Sequence, residues 1–207
     1  MKRTAFILLL LCAAACALVG ERLQTGDLVF VGVEEGSDAD AGSMSDAIVS
    51  ATGSITHVGI VEVDGSGTVW IIDASPKRGV ARHSLASFIS DNPRAVFTVK
   101  RLRDTSGVSQ FVENAKAHIG EPYDLAFLPD NGAMYCSELI REACHRPDGS
   151  FLFEETPMNF LAADGTVPAY WDQLFADLGM EVPQGVLGTN PQELSQSPLL
   201  EEVEIEL

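Results

Sequence analysis

The sequence predicts an α+β domain built on a small antiparallel sheet, and three observations carry that expectation. His57 to Val63 alternates cleanly, with His57, Gly59 and Val61 on one face and Val58, Ile60 and Glu62 on the other. Asp64-Gly65-Ser66-Gly67 is a hairpin turn signal, and Val69 to Ala74 then supplies the partner strand. Met134 to His145 instead carries apolar residues at Tyr135, Cys136, Leu139, Ile140, Ala143 and Cys144, which is helical spacing. The chain has 207 residues and is 46% hydrophobic, enough for one domain with a sizeable core and too short for two large ones.

The remaining elements follow in order. Leu28 to Val33 reads as a strand after the Thr25-Gly26-Asp27 turn, and Asp27 is expected to fix the strand entry. Glu34 to Ser43 is acidic and Gly-rich, a mobile loop by composition. Ser43 to Ala51 reads as a short helix with Ser43 or Ser45 as its cap. Ser84 caps a helix through Ile89, Ala95 to Leu102 is a strand, and Ser106 or Ser109 opens a helix through His118, stopped by Gly120. Tyr170 to Leu178 forms a last helix, the chain from Pro183 reads as loop, and Glu201 to Leu207 reads as a loose acidic tail. No internal repeat or dividing linker interrupts the chain.

The N-terminus has the layout of an export signal. Met1, Lys2 and Arg3 are followed by an apolar run and then by small residues around Cys16. The run ends before Glu21 and Arg22, marginal for a bilayer span. Residues 1–17 are therefore expected to be a signal peptide and 18–207 a single domain. Ala15-Cys16-Ala17 fits cleavage after Ala17, whereas Ala13-Ala14-Ala15-Cys16 resembles a lipoprotein box with Cys16 as a lipid anchor. Either way the mature protein is expected outside the cytoplasm, in a bacterial periplasm or envelope. The formal net charge of -17 disfavours nucleic acid as a partner.

The two cysteines of the mature chain, Cys136 and Cys144, would lie about 12 Å apart along a helix. Bridged Cα atoms sit within about 7 Å, so the two are not expected to pair. Cys144 is most simply a buried hydrophobe in the last turn. Asp130-Asn131-Gly132 is a loop signal that starts the helix near Ala133 to Tyr135, placing Cys136 in its first turn. The helix dipole and unpaired N–H groups there favour a thiolate. A nucleophile also needs a base. No Cys/His spacing indicates a metal and no Gly-rich phosphate loop appears, so no cofactor is expected.

Three blocks stand in order along the chain: Gly26-Asp27-Leu28-Val29-Phe30, Thr56-His57-Val58-Gly59-Ile60-Val61 and Tyr135-Cys136-Ser137-Glu138-Leu139. Together they resemble the permuted papain-like cysteine hydrolases of the NlpC superfamily, in its YiiX/YebB-like branch, where the strand bearing His precedes the helix bearing Cys. Gly120-Glu121-Pro122-Tyr123-Asp124 also resembles a segment of that family. The resemblance implies a circularly permuted papain-like, NlpC-type fold, with the Cys helix packed on the sheet. It further implies hydrolysis of an amide bond through a thioester, commonly in peptidoglycan peptides. Some relatives of this circular order act on lipid acyl groups instead, and a non-catalytic envelope protein binding cell-wall fragments or lipid is a third reading.

On that reading Cys136 is the nucleophile and His57 its general base and acid. A carboxylate should orient the imidazole. Asp73, at the end of the strand hairpinned to that of His57, is favoured; Glu62 is the rival, on the opposite face of its strand. The family often carries Glu where Asp73 stands. Tyr123 and Tyr135 are candidates for lining the substrate cleft or donating to an oxyanion, and Glu138 for a structural pairing. His83, His118 and His145 belong to none of the three blocks.

Overall fold

The computed structural model describes residues 21–34, 42–205 and 207. The signal segment, Cys16 and most of the acidic Glu34 to Ser43 loop lie outside the described residues. Six strands form one antiparallel sheet in the order β4-β3-β2-β1-β5-β8. They are β1 (Leu28–Gly32), β2 (Ile55–Val63), β3 (Val69–Ser75), β4 (Gly79–Ser84), β5 (Val96–Leu102) and β8 (Leu200–Val203). A small second ladder pairs β6 (Thr156–Pro157) with β7 (Leu187–Gly188). The helices are α1 (Met44–Thr52), α2 (Leu85–Asp91), α3 (Val108–Ala117), α4 (Cys136–Ala143), α5 (Ala169–Asp177) and α6 (Pro191–Ser195).

Strand alternation sorts the core into two layers. Leu28, Phe30, Val58, Ile60, Ile72 and Ala74 face α3 and α4, where Phe111, Val112, Leu139, Ile140 and Ala143 meet them. Val29, Val31, Val61, Ile71 and Val99 face the other way, onto Phe88 of α2. A third cluster holds Phe127, Tyr135, Met158, Phe160, Trp171 and Phe175 together beside α1 and α5.

The Gly26-Asp27 block has a structural cause. Gly26 has φ +91°, and a Cβ there would lie 2.6 Å from Val108 Cβ. Asp27 is buried and grips Arg101 of β5 through two oxygens, at 2.7 and 2.9 Å, while accepting from the Gln24 N–H at 2.8 Å. It thereby ties the entry of β1 to the neighbouring strand.

Three expectations are corrected. The tail from Pro183 is not all loop: Asn190 caps α6 by accepting from the Glu193 N–H at 2.9 Å, with Pro191 in the first turn. The acidic end is not loose, because Leu200–Val203 completes the sheet as β8. Leu200 and Val203 point into the core while Glu201 and Glu202 face out, opposite Arg101 and Lys100 of β5. At α3 neither serine caps; Gly107, with φ +90°, occupies that position. Ser43, by contrast, does cap α1, accepting from the Asp46 N–H at 3.1 Å.

Candidate active site

The site forms where the start of α4 meets β2 and β3. Helix α4 begins at Cys136, with Tyr135 as its N-cap. Tyr135 N–H donates to the Glu138 carboxylate at 3.3 Å, which fixes the first turn. Glu138 thus takes a pairing role; burial first, then the neighbouring charges of Asp124 and Glu142, push its carboxyl up to about 8. Cys136 and Cys144 are both buried free thiols. Burial pushes Cys144 up to about 12.

His57 lies near the start of β2. The register pairs Ile60 with Ile72 and Val61 with Ile71, and continuing it sets Gly59 opposite Asp73. A Cβ on Gly59 would lie 2.6 Å from Ile71 Cγ2 and 3.3 Å from Asp73 Cβ. The missing side chain lets Asp73 lean across to His57, whose Nε2 it meets at 2.7 Å. The shorter Asp thus spans the gap where the family often carries Glu. Phe88 stacks on the His57 ring, with centroids 5.9 Å apart.

Cys136 is the second partner of His57. Burial pulls the imidazole down, but the negative charge of the Cys136 sulfur, the bond to Asp73 and a hydrogen bond with Cys136 lift it from 6.5 to about 10. With Nε2 taken by Asp73, Nδ1 is the nitrogen left for sulfur. Asp73 is buried, and burial would raise its carboxyl; the bonds to two imidazoles hold it down at about 2.

The second imidazole is His83, which the sequence blocks did not include. Its Nε2 meets Asp73 Oδ1 at 2.8 Å, so the carboxylate is clamped from both sides. The strand that delivers it, β4, lacks a clear apolar alternation in the sequence Gly79-Val80-Ala81-Arg82-His83-Ser84. Ile71 pairs with His83 and Asp73 with Ala81, so a period-two placement of His83 beside Asp73 was the available signal.

Glu62 does not join this group. It binds Arg82 and, at 3.2 Å, Lys116, on the far side of the strand as alternation required. The Tyr135 hydroxyl is engaged by the Thr189 N–H, from which it accepts at 3.0 Å. Tyr123 is half-buried and its phenol is pushed well up, first by burial and then by the Cys136 charge.

Two cavities meet the site, one lined by Cys136 and the other by His57. One, of about 50 Å³, is lined by Cys136 and by apolar side chains including Ile48, Phe127, Met158, Phe160 and Trp171. The other, of about 350 Å³, is a polar cleft lined by His57, Asp73, Lys77, Arg78, His83 and Asp91 among others. Thr56, Ile48 and Tyr123 line both; Tyr135 lines the apolar one only.

A family model described as permuted papain-like amidase enzyme, YaeF/YiiX, C92 family, matches residues 22–204. The chain belongs to this family. Its order of His strand before Cys helix is the permuted one. A relative, the uncharacterized protein YiiX of Escherichia coli K12, is 24% identical over 181 residues, covering 86% of this chain and 84% of its own. The crystal structure of YiiX from Escherichia coli O157:H7 superposes with a TM-score of 0.71 at 24% identity, covering 88% of this chain and 97% of its own. The mixed sheet-and-helix architecture is thus the permuted papain-like fold of that family. The YiiX crystal structure is described as that of a metalloprotein. In this chain the donors nearest the site do not fit a metal: both imidazoles turn Nε2 to Asp73, and among the described residues no three His, Cys, Asp or Glu side chains are grouped to hold an ion.

Proposed function

We propose that this chain is an exported cysteine amidase that opens an amide bond through a thioester at Cys136, with cell-wall peptides as its substrates. The observation that carries the reading is the chain of contacts Cys136–His57–Asp73, with a hydrogen bond between His57 and the Cys136 side chain at one end and a 2.7 Å bond to Asp73 at the other. The family's amidase character agrees with it. Export rests on the basic, apolar and small-residue succession of residues 1–17, and anchoring of the same enzyme through a lipid at Cys16 is the other outcome of that processing.

In this mechanism the Cys136 thiolate attacks the amide carbonyl carbon and the C=O electron pair moves onto oxygen. Backbone N–H groups of the first α4 turn, which have no intrahelical partner, receive that charge. As the tetrahedral species collapses, the C–N bond breaks and His57 gives its proton to the leaving amine. Water then enters, His57 takes one of its protons, and hydroxide adds to the thioester. The C–S bond breaks, releasing the acid and regenerating the thiolate–imidazolium pair. Asp73 keeps Nδ1 aimed at sulfur throughout, and His83 holds Asp73.

A thiol-directed alkylating probe tests the reading, with Cys144 as an internal control. At neutral pH Cys136 is expected to label at least about tenfold faster than Cys144, whose thiol is held protonated by burial. His57→Ala should remove most of that advantage. Labelling of Cys136 at the rate of an ordinary thiol, unchanged by His57→Ala, would leave the sulfur unactivated and favour a binding protein.

A further inference from the structure

The cavity lined by Cys136 and the cleft lined by His57 differ in chemistry, and the direction of the reaction gives each a side of the substrate. His57 must protonate the leaving amine, so the amine belongs in the polar cleft that His57 lines. The apolar pocket is lined by Cys136 and not by His57. It therefore lies on the acyl side of the scissile bond.

We propose that this pocket is an acyl-side specificity subsite that selects short acyl groups and turns away long ones. The inference rests on the amidase reading above and deepens it. Size decides it. A cavity of about 150 Å³ holds a benzene ring, six carbons. The pocket here is about 50 Å³, which on that scale holds about two carbons. A propionyl group or an alanine-sized side chain fills it; a hexanoyl chain overruns it.

The walls are braced against widening. Phe127, Phe160 and Trp171 meet edge to face in all three pairings, at 5.8, 5.5 and 5.3 Å between centroids. Displacing one ring breaks its contacts with the other two. Met158 closes the pocket near Tyr135, whose hydroxyl lies 3.9 Å from its sulfur. A polar group of one wall residue, Ser137 Oγ, is buried without a hydrogen-bond partner. Buried polar groups are rarely left so, and a carbonyl-bearing group entering the pocket would give this donor an acceptor. A short acyl group with its carbonyl at the mouth supplies both the size and the acceptor.

The test uses activated esters, which acylate the thiolate whatever amine the natural substrate carries. Sulfur forms the S–C bond, the C–O bond breaks, and p-nitrophenolate leaves with the electron pair. The burst rate is measured for p-nitrophenyl acetate, propionate, butyrate, hexanoate and decanoate. Each rate is divided by that of the same ester with free N-acetylcysteine and corrected with Cys136→Ala protein. The normalised rate is expected to fall at least about tenfold from propionate to hexanoate. Met158→Ala and Ile48→Ala, each checked by thermal melting, should raise hexanoate relative to propionate by about the same factor. Hexanoate or decanoate reacting as fast as propionate in the unaltered protein would overturn the subsite, as would a preference that neither variant moves. Failure of every ester to acylate Cys136 above the Cys136→Ala background would instead overturn the amidase reading beneath it.

Discussion

Asp73→Asn is expected to lower amide turnover by about 10²–10⁴-fold, whereas Glu62→Gln should leave it close to unchanged. The asymmetry follows from what each carboxylate holds. Asp73 accepts from His57 Nε2 at 2.7 Å and from His83 Nε2 at 2.8 Å, one oxygen to each ring. An asparagine has one oxygen and one NH2, so it can accept from only one imidazole. If its NH2 faces His57, Nε2 must become an acceptor and the ring proton moves to Nδ1. That is the nitrogen needed for the Cys136 proton, so the base is lost without moving an atom of the backbone. Glu62 serves Arg82 and Lys116 on the opposite face and touches none of these groups. Steady-state kinetics of both variants checks this; equal losses, or a larger loss in Glu62→Gln, would displace Asp73 from its role.

Asp27→Ala is expected to destabilise the fold by about 3–5 kcal/mol, among the largest single-residue effects in this chain. Asp27 is 1% exposed and binds the Arg101 guanidinium in a fork, which raises the Arg101 pKa through that bond. Removing the carboxylate leaves the Arg101 guanidinium, 14% exposed, with the Arg22 carbonyl as acceptor in place of a carboxylate fork, and strips the Gln24 N–H of its acceptor. The loss should appear as a lower urea midpoint with an unchanged slope. A change under about 1 kcal/mol would mean that the pair is solvated and the β1 entry is held by something else.

Much of this arrangement is legible in the sequence where the signal is local. Strands β1, β2, β3 and β5 show as apolar or alternating runs, and α1 and α2 announce themselves through Ser43 and Ser84. The Cys helix and the His–Asp hairpin follow from a turn and a periodicity, whereas the meeting of Cys136 with His57 is implied only by the family resemblance of the three blocks. What is missed depends on partners distant in the chain. Glu201-Glu202 reads as a solvated tail until Arg101 and Lys100 of β5 are placed opposite them. Strand β4 alternates weakly through Arg82-His83-Ser84, and without it His83 has no reason to stand beside Asp73. Helix α6 differs, because Asn190 followed by Pro191 is a local start signal set within the loop-like stretch from Pro183. The apolar pocket could not be read at all, because its wall is assembled from α1, the Phe127 loop, the Met158–Phe160 segment and α5.

The pairing of His57 also links the site to pH. Its folded pKa of about 10 lies above its ordinary 6.5. The pairing therefore stabilises the folded state fully below about pH 6.5 and is lost as pH rises through about 10. The most direct test of the account is an NMR titration of the His57 ring in the intact protein and in Cys136→Ala. The account predicts a midpoint near 10 with Cys136 present and a clearly lower one in Cys136→Ala, since the sulfur's charge is the largest influence raising it. A midpoint near 6.5 in both proteins would mean that His57 feels no charge on the sulfur, and that Cys136 is not held ready as a nucleophile.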